Sequence, residues 1–238
     1  MSGRLAALLL ASAAALVGCG GDAPPPAVRD LPLVEARAPA DSGLGSTTLA
    51  VVLSGDGGWA GIDRQLAATF AAHGMSTVGL NSLRYFWRGT TPDSAARDLA
   101  RILRHYLPAW RKERALLVGY SRGADVLPFM AARLPAELRG RVRLIALVAP
   151  ASTASFEFHL VDWLGGGGGE GGAGAPRTRA EVAKLRGTPL LCFYGADEAD
   201  SACDGLDPAL ATVVRLPGGH HLDGDYAGIA GRILAALR

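Results

Sequence analysis

The sequence lacks, first, an excess of charge. Lys and Arg number 24 against 22 Asp and Glu, a net of +2 over 238 residues with histidines neutral. That balance excludes the strongly basic surface through which a protein captures nucleic acid, and it indicates no strongly acidic partner. The arginines are scattered, and their one dense group, residues 97–114, falls at the spacing of a solvated helix face. Three cysteines and five histidines stand in no spacing that would ligate a metal, so neither a metal nor another cofactor is expected. The apolar run near the N-terminus, residues 5–17, is too short to span a bilayer. No internal repeat is evident, and the length suits one domain with a tail.

Arg4 precedes the apolar run, and a positive charge ahead of a short apolar stretch reads as a secretory signal rather than an anchor helix. The run ends in Leu16-Val17-Gly18-Cys19, which resembles a bacterial lipobox: small residues admit the signal peptidase and the Cys19 thiol takes the lipid. The plainer alternative is a secretory signal with a chance cysteine. Residues 1–18 are thus expected to be removed, and residues 19–45, opening Gly-Gly-Asp-Ala-Pro-Pro-Pro-Ala, to form a flexible tether. The mature protein is expected in the periplasm, lipid-anchored to a membrane. Setting Cys19 aside leaves Cys192 and Cys203, an even pair where disulfides are permitted. A bridge would close a short loop over FYGADEADSA, with two separate buried thiols as the alternative.

From residue 46 to 238 buried-strand patterns alternate with helical ones. TTLAVVLS, MSTVGL, ALLVGY, VRLIALVAP, TPLLCFYG and ATVVRLP are short and apolar throughout. Between them lie helical patterns near residues 62–72, from Pro92 with Thr91 as N-cap, along GADVLPFMAARL, and over residues 225–237. Strands apolar on both faces, alternating with helices, predict an α/β fold: a mostly parallel sheet with helices on both faces. A glycine-rich insert at about residues 165–176 breaks the rhythm and is expected to be a mobile loop. SFEFHLVDWL before it is expected as a short strand or a lid.

The chemistry centres on Gly119-Tyr120-Ser121-Arg122-Gly123, which follows an apolar run and precedes a helix. It fits the G-x-S-x-G nucleophile elbow of the α/β-hydrolase fold, in which serine, acid and histidine follow in that order at strand ends. The strand LLCFYG delivers Asp197 and Glu198, with Glu198 favoured as the acid. VVRLP delivers His220 and His221, with His220 preferred as the base. The backbone of Arg122, and of Asp56 or Gly57 in SGDGGW, would supply oxyanion donors. Asp125, four residues past the serine, is expected to face the core, in a buried hydrogen bond or as partner to an arginine or a substrate ammonium. Tyr85, Phe86, Trp87, Phe156, Phe158 and Trp163 are either core or an apolar entrance, with Tyr85 and Trp87 as substrate contacts. His73 and His105 read as surface residues, and His159 as a residue that could line the site.

GYSRGADVLPF, LSGDGGW, LRYFW, YGADEADSAC and PGGHHLDGDY together resemble the bacterial VirJ/AcvB virulence-protein family, from residue 49 to the C-terminus. The resemblance implies a periplasmic serine esterase with Ser121, Asp197 or Glu198, and His220 in the matching positions. The substrate it implies is aminoacyl-phosphatidylglycerol, typically the lysyl ester. Two alternatives stand beside it: an accessory role next to type IV secretion proteins, with which the family is linked, and acyl transfer by the same triad to an acceptor other than water. The long glycine-rich insert, and Leu222 where an aromatic is common, depart from the family pattern and bear on lid and substrate.

Overall fold

A computed structural model describes residues 28–158 and 175–238. The expected signal peptide, Cys19, His159, Trp163 and nearly all of the glycine-rich insert lie outside the described residues. Seven strands form one sheet: β1 (Leu33–Ala36), β2 (Thr48–Leu53), β3 (Thr77–Leu80), β4 (Arg114–Tyr120), β5 (Val142–Val148), β6 (Leu190–Gly195) and β7 (Thr212–Leu216). Their order is β1-β3-β2-β4-β5-β6-β7. Only β1 runs antiparallel, against β3; every other pairing is parallel. The longer helices are α1 (Gly61–Ala72), α3 (Pro92–Ala109), α4 (Arg122–Ala132) and α7 (Tyr226–Ala236). Short turns α2 (Ser82–Tyr85), α5 (Ala136–Arg139) and α6 (Thr178–Val182) are the other α-helical segments among the described residues.

Parallel strands need both faces covered, and the sequence supplies the cover. All six residues of β2 are buried. One core joins α3 and α4 to one face of the sheet, and a second joins α1 and α7 to the other. In α3 the buried residues Ala95, Ala96, Leu99, Ile102, Leu103, Tyr106 and Leu107 recur at helical spacing, and the Thr91 side chain accepts from Ser94 N–H at 3.2 Å. SFEFHLVDWL shows no regular element over its described residues, and Phe156 is buried in the core with the wholly buried Phe86.

The expected tether is shorter than read. Within residues 19–45, β1 pairs with β3, and Tyr106 donates from its hydroxyl to Glu35 at 2.7 Å. Asp41 meets the buried Lys112 at 2.8 Å, and Gly45 packs so tightly on Gly74 that a Cβ would lie 1.9 Å from its carbonyl oxygen. Prolines and a four-residue edge strand concealed this segment, since so short a run carries almost no periodicity.

Candidate active site

The carboxyl ends of the central strands converge on one cavity of about 1070 Å³. Ser121 stands at its centre, between β4 and α4, with φ 51° and ψ −123°. A serine in that region is strained, and the surroundings must hold it there. Ser121 N–H donates to Val148 O at 2.9 Å, while its carbonyl accepts from Ala124 N–H at 2.7 Å and Asp125 N–H at 3.0 Å. The flanking glycines give the turn room. A Cβ on Gly119 would lie 2.4 Å from Gly123 O, and one on Gly123 would lie 2.2 Å from Leu53 O.

Ser121 Oγ lies 2.8 Å from His220 Nε2, and His220 Nδ1 lies 2.7 Å from Glu198 Oε1. The other oxygen of Glu198 accepts from Gly195 N–H at 2.7 Å, and its side chain is 7% exposed. An ionised carboxylate only accepts, so Nδ1 carries the hydrogen and Nε2 is left to accept from the serine hydroxyl. Asp197 points elsewhere: it is exposed, and its own N–H binds Gly218 O at 3.0 Å. His221 is not part of this chain of contacts, since its Nδ1 meets Tyr120 Oη at 2.9 Å.

Arg122 opens α4, where a helix leaves its first N–H groups without intrahelical acceptors. Asp56 and Gly57 also line the cavity, in a turn closed by Gly58 N–H donating to Gly55 O at 3.1 Å. A Cβ on Gly55 would press on the Tyr120 ring at 3.1 Å and on Ser121 Cβ at 3.3 Å, and Gly58 takes φ 71°. The Arg122 side chain is held on two nitrogens: Nε pairs with the Asp56 carboxylate, and Nη1 donates to Ser155 O at 3.0 Å and Glu157 O at 3.1 Å.

Asp125 lines the cavity half-buried, and its Oδ1 accepts from Ala151 N–H at 2.7 Å. Burial raises its pKa well above the usual carboxylate range. Tyr85 and Trp87 are not among the cavity-lining residues. Tyr85 donates to Asp98 at 2.6 Å, while Trp87, 57% exposed, stacks on Phe158 with ring centroids 5.3 Å apart. Phe158 in turn lies under the Arg122 guanidinium, 5.9 Å from it, so this pair flanks the site rather than lining it. His73 is exposed and His105 packs edge-on against Tyr106. Cys192 and Cys203 form a disulfide with Cα atoms 5.5 Å apart.

Sequence reasoning missed Tyr120, Tyr226, Asp63 and Asp200 as lining residues. Asp63 had a signal only as an acid in the first turn of a helix; its Oδ2 caps Ala60 N–H at 3.2 Å. Its Oδ1 is buried without a hydrogen-bond partner, and burial lifts its pKa to about 7. A carboxyl whose folded pKa exceeds its unfolded value contributes stability that is full below about pH 4 and is lost as pH rises to about 7. Asp63→Asn cannot ionise. Its melting temperature relative to the wild type is expected to climb between these pH values and level off above them, and a gap independent of pH in thermal melts would contradict this.

Among solved structures the chain is similar to one described as a dienelactone hydrolase from Klebsiella pneumoniae, at 16% identity and TM-score 0.57, covering 86% of this chain and 97% of that one. It is similar to Est1E from Butyrivibrio proteoclasticus at 13% identity and TM-score 0.61, covering 86% and 93%. For naproxen esterase from Bacillus subtilis the values are 14% and 0.54, with 87% of each chain covered. At these identities the likeness establishes the α/β-hydrolase fold, and each activity stays with its own protein. No curated protein matches the chain. The model of the family described as bacterial virulence protein (VirJ) matches residues 47–238, four-fifths of the sequence, and the chain belongs to that family.

Proposed function

We propose that this protein is a serine hydrolase of carboxylic esters, with Ser121 as nucleophile, His220 as general base and Glu198 as the acid that orients it. The observation that carries the reading is the continuous chain Glu198–His220–Ser121, at 2.7 and 2.8 Å, ending on a serine held at positive φ. His220 Nε2 takes the hydroxyl proton as Ser121 Oγ attacks the ester carbonyl, and Glu198 stabilises the imidazolium that forms. Backbone N–H groups of Arg122 and of Asp56 or Gly57 receive the oxyanion. His220 then protonates the departing alkoxide, and water, deprotonated by the same nitrogen, releases the acid.

The substrate we propose is aminoacyl-phosphatidylglycerol, reached from a lipid anchor on Cys19 at the periplasmic face of a membrane. What supports it is the family together with the cavity wall. Asp200 stands exposed on the cavity wall, and Arg122, the one arginine lining it among the described residues, is already held by Asp56 and two carbonyls. The ammonium of a lysyl group would meet the exposed Asp200 there. Purified protein given phosphatidylglycerol carrying a labelled lysyl ester is expected to release free lysine and phosphatidylglycerol. Label appearing on another acceptor would indicate acyl transfer. No turnover of the lipid, with a simple aryl ester still hydrolysed, would remove this substrate and leave the esterase class. Inertness towards both, with stable capture of secretion components, would indicate the accessory role.

A further inference from the structure

We propose that the Cys192–Cys203 disulfide is a positioning element of the active site, and that hydrolysis at Ser121 depends on its being oxidised because it holds the Glu198 turn against His220. The inference rests on the hydrolase reading above.

The two ends of the bridge are held very differently by the rest of the fold. Cys192 lies inside β6, paired with Leu147 of β5 on one side and Val213 of β7 on the other. Residues 196–211, the whole connection from β6 to β7, contain neither helix nor strand. Cys203 lies midway along that connection, and the bond ties it to the centre of the sheet. Both cysteines are fully buried.

Two carboxylates that shape the site fall inside the covalent ring. Glu198 reaches His220, and Asp200, on the cavity wall, accepts from Ser152 N–H at 3.1 Å. The upstream limb of the ring is held at the strand end by Ala196 N–H to Leu216 O at 2.7 Å, Asp197 N–H to Gly218 O at 3.0 Å, Glu198 N–H to Gly195 O at 3.1 Å and Gly195 N–H to the Glu198 carboxylate at 2.7 Å. Before it reaches Cys203, the downstream limb is tied to its neighbours by three hydrogen bonds, Ala202 N–H to Pro150 O at 2.8 Å, Ser152 N–H to Asp200 at 3.1 Å and the Arg179 side chain to Ser201 O at 3.3 Å. His220, which meets Glu198 at 2.7 Å, is itself 44% exposed at the side chain. Opening the bridge frees the downstream limb to sample many conformations, and the Glu198 carboxylate goes with it.

Opening takes a dithiol reductant, which supplies two electrons and two protons, leaves as its own cyclic disulfide and converts Cys192 and Cys203 to thiols. The test uses the mature chain and an aryl ester. Rates are compared for oxidised protein, for protein reduced with dithiothreitol and checked by thiol titration, and for Cys192→Ala/Cys203→Ala. Misplacing a catalytic group by an ångström costs on the order of 100-fold, so kcat is expected to fall about 10- to 100-fold in both altered forms with KM little changed. Reoxidation of the reduced protein is expected to restore it. In a Glu198→Gln background the cysteine pair is expected to cost less than about twofold more, because both changes act through one carboxylate.

An unchanged kcat in folded, reduced protein overturns the inference. So does a loss that multiplies in full with Glu198→Gln, or one that tracks loss of circular dichroism. If the alanine pair does not fold, the reduced and reoxidised wild type decides alone. Oxidised wild type inert to both the ester and a fluorophosphonate probe would instead sink the hydrolase reading, and this inference with it.

Discussion

Ser121→Ala is expected to lower kcat for ester hydrolysis by about 10⁴- to 10⁶-fold, the scale on which removing a serine nucleophile acts. Labelling by a fluorophosphonate probe should disappear with it. The change removes one oxygen from a residue whose backbone is held by Val148, Ala124 and Asp125, so the fold should persist. Substrate binding should be largely retained, since Arg122, Asp125 and the Gly55–Gly58 turn still shape the cavity. A steady-state assay alongside circular dichroism checks both halves. Activity near that of the wild type in a well-folded Ser121→Ala protein would exclude a covalent mechanism at this residue.

The second large effect separates neighbours. His220→Ala should cost about as much as loss of the serine, and Glu198→Gln about 10²- to 10⁴-fold, because an amide no longer stabilises the imidazolium or enforces the tautomer. His221→Ala and Asp197→Asn should each change kcat by less than about tenfold. His221 contacts Tyr120 rather than Ser121, and the Asp197 side chain is exposed. Residues that act as one unit lose activity non-additively, so the His220→Ala/Glu198→Gln double variant should be little worse than His220→Ala. If His221→Ala proved the more damaging of the two histidine changes, the hydrogen-bonded chain from Glu198 to Ser121 would not be the working one.

How much of this was legible in the sequence depends on how local each signal is. The strand–helix alternation is local, because a parallel strand covered on both faces must be apolar at every position, as TLAVVL is in β2. The elbow is local as well: a serine between glycines after such a strand already implies the sharp turn. β1 was not legible, because what makes Leu33–Ala36 a strand is the β3 edge it pairs with. Phe86 and Phe156 were expected either in the core or at an entrance, and the packing of α3 and α4 over the sheet put both in the core. Tyr85 and Trp87 read as substrate contacts from their composition. Tyr85 is instead hydrogen-bonded to Asp98 and Trp87 is stacked on Phe158, and neither is among the residues that line the cavity.

By itself, then, the sequence determined the alternation of the six parallel strands with the four longer helices and the residue types delivered to the sheet's carboxyl edge. Those follow from burial and backbone sterics within a few residues. Only the tertiary structure decided which of two adjacent side chains meets its partner. In a turn, adjacent residues point in different directions, and that direction depends on φ and ψ values imposed by distant contacts. Gly195 N–H draws in Glu198 and leaves Asp197 outside, while Gly218 at φ 79° turns His220 towards Ser121 and His221 towards Tyr120. The same holds for Asp63, Asp200 and the engaged Arg122, whose surroundings come from segments tens of residues away.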